Sequence, residues 1–258
     1  MIYKGFDLRG KIAVIVGGSS GIGRVISRGL AEAGADLIPT ARRSDLVDQA
    51  AGEVEALGRR SLRVCCDVND RNSLEAVMQA VVKEFGKVDI LVYAAGITRR
   101  EPFLDVKEER WREVVETNLT GAFHTCQTFG RHMVDRGYGR IINIASLGSY
   151  LGLSGVAAYA ASKAGLASLT RTLAVEWARH HVCVNAIVPG VFLTDMNKQL
   201  LEGTARGQEL LTRTPMKRFG RAEELVGGAV FLASDAASFV TGTMLHIDGG
   251  FLASGVNQ

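Results

Sequence analysis

An α/β fold with one doubly wound parallel sheet of about seven strands, flanked by helices, follows from three features of this 258-residue chain. Short apolar runs alternate with amphipathic stretches of helical spacing along nearly its whole length. The runs lack the period-two alternation of half-exposed strands, as parallel strands covered on both faces should. No internal repeat, low-complexity segment or interdomain linker interrupts the rhythm, so residues 1–258 read as one domain.

Ile12 to Val16 is the first apolar run. It leads into Gly17-Gly-Ser-Ser-Gly21-Ile-Gly23-Arg24 and then into a helical pattern from Val25 to Ala33. Strand, glycine turn and helix in that order form the context a dinucleotide-binding loop requires. Gly17 and Gly21 permit backbone shapes that a Cβ would obstruct, Gly23 permits close packing of helix on strand, and the helix amino terminus faces a diphosphate.

A second unit follows, with Asp36–Ala41 as strand, Ser44–Leu57 as helix and Ser61–Cys66 as the third strand. In a dinucleotide fold an acidic residue at the end of the second strand binds the ribose 2′-hydroxyl. Here that end reads Thr40-Ala41-Arg42-Arg43. No carboxylate repels a 2′-phosphate and two guanidiniums can pair with it, so NADP(H) is favoured over NAD(H). Asp67-Val68 closes the third strand, where Asp67 can contact adenine, form a turn or cap the next helix.

Arg71 to Phe85 has helical spacing and Asp89 to Ala94 is the fourth strand, ending at Gly96. Helical stretches Glu108–Asn118 and Gly121–Asp135 come next, with Asn118 near their junction. Gly139–Ala145 is the fifth strand, Val156–His180 a helix, and Val182–Val188 the sixth strand, ending at Pro189-Gly190. Val191–Met216 is an irregular amphipathic insertion, expected to act as a lid that excludes water. Ala222–Leu232 is a last helix and Thr243 to Asp248-Gly-Gly a last strand and turn.

Composition narrows the class of partner. The chain is 47% hydrophobic and 22% charged, as in soluble globular proteins. Its formal charge is +3, from 30 basic and 27 acidic side chains, which disfavours nucleic acid as the main partner. No apolar run reaches the ~18 to 20 residues of a membrane span. The first ten residues carry no apolar signal core, so a cytoplasmic location is expected. Cys65, Cys66, Cys126 and Cys183 show no zinc-ligand spacing and read as reduced, mostly buried thiols. His180-His181-x-Cys183 lies at a helix-to-strand turn without a further ligand, so no metal site is expected.

The chemistry concentrates between Ser146 and Lys163. Tyr159 and Lys163 are four apart in an Ala-rich helical run, so a phenol and an ammonium share one face. A neighbouring positive charge lowers the pKa of a phenol from its ordinary ~10, which would fit Tyr159 for general acid or base work. Ser146 ends the fifth strand at the sheet's carboxyl edge, where such folds bind ligands, and its hydroxyl can hold a carbonyl oxygen. Ala157, Ala160, Ala161, Ala164, Ala167 and Ser168 crowd one face of the same helix, which suits either self-association or tight internal packing.

In order and spacing, Gly17-x-x-x-Gly21-Ile-Gly23, Asp67-Val68, Asn118, Ser146, Tyr159-x-x-x-Lys163, Pro189-Gly190 and Asp248-Gly-Gly resemble the short-chain dehydrogenase/reductase family over essentially the whole chain. The resemblance implies a Rossmann-type fold and hydride transfer between a nicotinamide and a carbonyl or secondary alcohol. It implies that Tyr159 passes the proton, Lys163 lowers the tyrosine's pKa and binds the nicotinamide ribose, Ser146 positions the substrate oxygen and Asn118 supports a water relay to Lys163. The implied cofactor contacts begin in the glycine loop, with Ser19, Ser20 and Ile22 beside its glycines. They continue through Arg42, Arg43, Asp67, Val68, Ala95 and Gly96 to Tyr159, Lys163, Pro189, Gly190 and Thr194. On this view residues 8–145 hold the cofactor, 146–258 supply catalysis and substrate contacts, and 191–216 form the lid. The usual family assembly is a homotetramer with the Ser-to-Lys helix at an interface.

Two departures stand out. Val16 occupies the position before the first glycine where the family usually has Thr, and Tyr93-Ala94-Ala95-Gly96 replaces Asn-Asn-Ala-Gly. The first and fourth strands should be neighbours, so packing would replace a polar link at both ends. Arg99-Arg100 resembles the double arginine of the family's gluconate 5-dehydrogenase-like, sugar-acid branch and could bind a substrate carboxylate bidentately. Reduction of a 3-oxoacyl carrier-protein thioester or of a general ketone is the alternative, and a non-catalytic dinucleotide-sensing scaffold the reading from another class.

Overall fold

The computed structural model describes residues 4–193 and 201–255. Six parallel strands form one sheet in the order β2-β1-β3-β4-β5-β6. They are β1 (Ile12–Val16), β2 (Asp36–Thr40), β3 (Ile90–Tyr93), β4 (Gly139–Ile144), β5 (Val182–Pro189) and β6 (Met244–Ile247). Successive side chains leave opposite faces, so each strand feeds two cores. Val14, Val16, Leu91, Tyr93 and Ile141 pack beneath α3 (Arg71–Phe85), α5 (Gly121–Arg136) and α6 (Ala157–Trp177). Ala13, Ile15, Ile90, Val92 and Ile142 pack beneath α1 (Gly21–Glu32) and α8 (Val226–Ala233), with Val54 of α2 (Ser44–Ala56). Burial on both faces is why these strands read as unbroken apolar runs.

The expected third strand, Ser61–Cys66, is the one strand that does not form, leaving six where about seven are expected. The segment does run beside β2: Leu37 N–H donates to the Arg60 carbonyl at 3.0 Å and Cys66 N–H to the Ala41 carbonyl at 3.0 Å. Between those two bonds lies Pro39, which has no N–H to give. Side chains substitute, as the Thr40 hydroxyl donates to Val64 O at 2.7 Å and the Ser61 hydroxyl to Leu37 O at 2.7 Å. A regular ladder is thereby broken while the strand path survives.

The expected neighbours are neighbours. β1 pairs with β3 in the register Val16↔Tyr93, and both side chains are buried in the same core. Packing does stand at both positions where a polar link is usual. Because all strands are parallel, the loops after Val16, Tyr93, Ile144 and Pro189 gather on one edge.

Two connections bear on that edge. Helix α4 (Glu108–Val115) runs into α5 through a π turn, Glu116–Thr120, rather than a break. Beyond β5, Phe192 bridges Gly220, and a Cβ on Gly220 would lie 2.4 Å from the Phe192 ring. Helix α7 (Ala205–Arg213) belongs to the expected lid segment 191–216, while Thr194 lies outside the described residues.

Candidate active site

The glycine loop joins β1 to α1 at the carboxyl edge. Gly17 has φ +86, and a Cβ there would meet the Ala95 nitrogen at 2.5 Å. A Cβ on Gly23 would fall 2.1 Å from the Gly17 carbonyl oxygen. Backbone therefore replaces side chain on the cradle's inner surface. At the start of α1 the exposed Ser20 makes no side-chain cap, and the first turn holds no acidic residue. Those first amides and the helix dipole together suit an anionic ligand. Ser19 is buried in the loop and Ile22 packs partly into the α1-side core.

Past the end of β2, Arg42 and Arg43 are exposed, with no carboxylate paired to either among the described residues. By contrast the loop's Arg24 is bound bidentately to Glu53, at 2.6 and 3.1 Å. The free guanidiniums thus lie after β2, as a 2′-phosphate requires. Asp67 forms a turn: its Oδ1 accepts from Asn69 N–H at 3.0 Å, and it is Asp70 that caps α3, accepting from Asn72 N–H. Val68 is buried, and a Cβ on Gly121 would come within 2.9 Å of it. Gly190 meets Asp248 so closely that a Cβ there would lie 2.6 Å from Asp248 Cα, and Asp248 in turn accepts from the Gly250 and Leu252 amides. This close approach accounts for Gly190, while Gly249 and Gly250 turn through φ of +64 and +86.

Ser146, Tyr159 and Lys163 meet at the end of β4. Ser146 Oγ accepts from Gly148 N–H at 3.1 Å, fixing the hydroxyl beside a short 3₁₀ turn, close to the Tyr159 phenol. Lys163 is 4% exposed; its Nζ donates to the Ile144 carbonyl at 2.7 Å and lies 5.8 Å from the Tyr159 ring centre. Burial lowers Lys163 to about 8. Burial also raises the Tyr159 phenol above its ordinary value, against a smaller opposing effect of the nearby Ser146. The direction is opposite to the lowering expected from Lys163, and removal of the phenol from water is its largest cause.

Asn118 is fully buried in the π turn. Its Oδ1 accepts from Ile97 N–H at 2.8 Å and its Nδ2 donates to Ile97 O at 2.9 Å and to Ser162 Oγ at 3.0 Å. Ser162 completes the link by donating to the Tyr159 carbonyl at 2.7 Å. Gly96 sits between these groups: a Cβ there would lie 3.3 Å from Asn118 Oδ1 and 3.5 Å from Lys163 Nζ. Nothing in the sequence marks Ser162, for a serine within an Ala-rich run has no distinguishing signal.

The two arginines after Gly96 differ. Arg99 is paired with Glu113 at 3.0 Å, whereas Arg100 lays its stem against Gly155, in the loop that leads to Tyr159. The four cysteines are free thiols, and no cluster among the described residues could hold a metal ion. No helix among the described residues is long and apolar enough to cross a membrane.

A family model described as enoyl-(acyl carrier protein) reductase matches residues 16–252. The chain is 42% identical over 256 residues to a 2-dehydro-3-deoxy-D-gluconate 5-dehydrogenase of Dickeya dadantii (strain 3937), covering 98% of this chain and all of that one. It is 39% identical over 249 residues to the 5-keto-D-gluconate 5-reductase of Escherichia coli K12, covering 96% and 98%. A gluconate 5-dehydrogenase from Burkholderia cenocepacia J2315, crystallised with NADP and tartrate, superposes with a TM-score of 0.94 at 37% identity, over 98% of this chain and 99% of that one. Identity near 40% over practically the whole chain, with the same backbone course, admits one conclusion: the chain belongs to the short-chain dehydrogenase/reductase family.

Proposed function

We propose that this protein is an NADP(H)-dependent oxidoreductase that interconverts a keto and a hydroxy group on a sugar acid of the gluconate/5-ketogluconate type. The observation that carries the reading is the meeting of Ser146, Tyr159 and Lys163 at the end of β4, with the Lys163 ammonium over the Tyr159 ring, beside a glycine cradle. The names of the whole-length relatives support the substrate class.

The nicotinamide, when bound, supplies or accepts the hydride. Ser146 Oγ orients the substrate oxygen. Tyr159, held above the ordinary phenol range and so protonated near neutrality, donates its proton to that oxygen in the reductive direction and recovers it in the oxidative one. Lys163, with a pKa of about 8, holds a positive charge near the developing tyrosinate at neutral pH and passes protons onward, with Asn118 supporting the relay. Gly17 to Gly23 and the start of α1 take the diphosphate, and Arg42 with Arg43 takes the 2′-phosphate. Asp67, Val68, Ala95, Gly96, Pro189, Gly190 and Thr194 complete the cofactor contacts. Arg100, with Arg99 behind it, takes the substrate carboxylate.

In this reading residues 8–145 serve the cofactor, 146–258 the reaction, and 191–216 exclude water. We infer a cytoplasmic homotetramer. Exposed Ala161, Ala164, Ser168 and Val175 share one stripe of α6, which supports packing of that helix against another subunit.

The test is a rate at the nicotinamide absorbance band, with NADPH and NADH in parallel, against 5-keto-D-gluconate, an acetoacetyl thioester and a plain diketone. NADPH-linked turnover of the keto acid is expected. Turnover of only the thioester or the diketone would discard the sugar acid and keep the proton-transfer assignment; none with any carbonyl would favour a sensing scaffold.

A further inference from the structure

Tyr93 is fully buried at the end of β3, and its hydroxyl donates to the Thr117 carbonyl. That carbonyl belongs to the π turn. In an α-helix the Gly121 N–H would bond four residues back, to Thr117 O; here it bonds five back, to Glu116 O. The Thr117 carbonyl has lost its helical donor and has a phenol in its place. Room for that phenol depends on Gly121, since a Cβ there would lie 2.9 Å from the Tyr93 oxygen. Burial pushes the Tyr93 phenol far up, so it remains a donor at every ordinary pH.

The residue after Thr117 is Asn118, whose amide grips both backbone groups of Ile97 and reaches Ser162. Continuing as an α-helix would rotate the following residues by about 100° and carry them along the axis. We propose that Tyr93 is a positioning residue for the reaction: its hydroxyl holds the π turn in the register that aims the Asn118 amide at Ile97 and Ser162, and so fixes Gly96 and α6 around Lys163. Tyr93 acts through Asn118 and touches neither substrate nor cofactor. This inference rests on the reading of Asn118 as part of the proton path.

The test is a double-mutant cycle in kcat with NADPH and 5-keto-D-gluconate, built from Tyr93→Phe, Asn118→Ala and the double variant. Tyr93→Phe is expected to lower kcat by about 10-fold with both KM values within about twofold of wild type. In the Asn118→Ala background the same change should alter kcat by less than about twofold, because its route of action is gone. An equal loss in both backgrounds, or no loss from Tyr93→Phe, overturns the inference alone. Wild-type kcat in Asn118→Ala overturns the role of Asn118 itself and the inference with it, so the two failures are distinguishable. Phenylalanine keeps the ring that fills the core. Should that variant still fail to fold, Gly121→Ala, which keeps the ring and crowds the hydroxyl, takes its place in the cycle with the same expected pattern.

Discussion

Lys163 donates to the Ile144 carbonyl at 2.7 Å from a position almost fully removed from water, with no carboxylate bound to it among the described residues. Its folded pKa of about 8 lies below the unfolded value of ~10.4. Below about pH 8 the lysine is charged in both states and the folded protein carries the whole burial penalty. Between about pH 8 and ~10.4 the unfolded chain binds more protons, so this group's contribution to stability rises with pH, by about 3 kcal/mol in all. Denaturant unfolding of wild type and Lys163→Met across that window should therefore show a stability difference that moves in favour of wild type as pH rises. A pH-independent difference would refute the buried-charge account.

Gly23 and Gly21 should not be equivalent. A Cβ on Gly23 meets backbone at 2.1 Å, which no side-chain rotation relieves, whereas around Gly21 there is open space and only its φ of +52 opposes a side chain. Gly23→Ala is expected to push α1 from β1, costing about 2 to 3 kcal/mol and weakening NADPH binding at least about 10-fold. Gly21→Ala should cost about 1 kcal/mol. Chemical denaturation and NADPH fluorescence titration would compare them; equal effects would mean that the close contact does not shape the cradle.

Arg42 carries the cofactor choice. It is exposed after β2 with no acid paired to it among the described residues, so its truncation removes a phosphate partner without unpairing a buried charge. Arg42→Ala should raise the Kd for NADPH about 10-fold or more and that for NADH less than about twofold. Equal weakening in parallel titrations would exclude a 2′-phosphate role.

Most of this arrangement was legible from residue order, because Ser146, Tyr159 and Lys163 depend on local spacing and on where one strand ends. What escaped depends on distant parts of the chain or on one missing atom. The strand expected at Ser61–Cys66 fails for want of the Pro39 N–H, a consequence visible only once its pairing with β2 is known. The junction at Asn118 looks like a helix break in sequence, yet the backbone stays helical there, with a phenol from β3 on the Thr117 carbonyl. Likewise the direction of the Tyr159 shift turned on burial, which spacing on a helix does not reveal.

Arg99 and Arg100 are adjacent, yet their surroundings separate them. Arg99 is already neutralised by Glu113 at 3.0 Å, and exposed pairs of this kind contribute little on their own. Arg100 instead packs its stem on Gly155, while the neighbouring Glu101 N–H donates to the Gly155 carbonyl at 2.9 Å, tying the loop after β3 to the loop that precedes Tyr159. A carboxylate held by the Arg100 guanidinium gains a charge-assisted hydrogen bond worth about 1.5 to 3 kcal/mol. Arg100→Ala should therefore raise the KM for 5-keto-D-gluconate at least about 10-fold and leave the KM values for NADPH and for a neutral diketone within about twofold. Arg99→Ala should change the keto-acid KM by less than about threefold. Steady-state kinetics on the two variants with both substrates decides the matter: a larger effect at Arg99, or an equal effect on the diketone, would remove Arg100 from the carboxylate site.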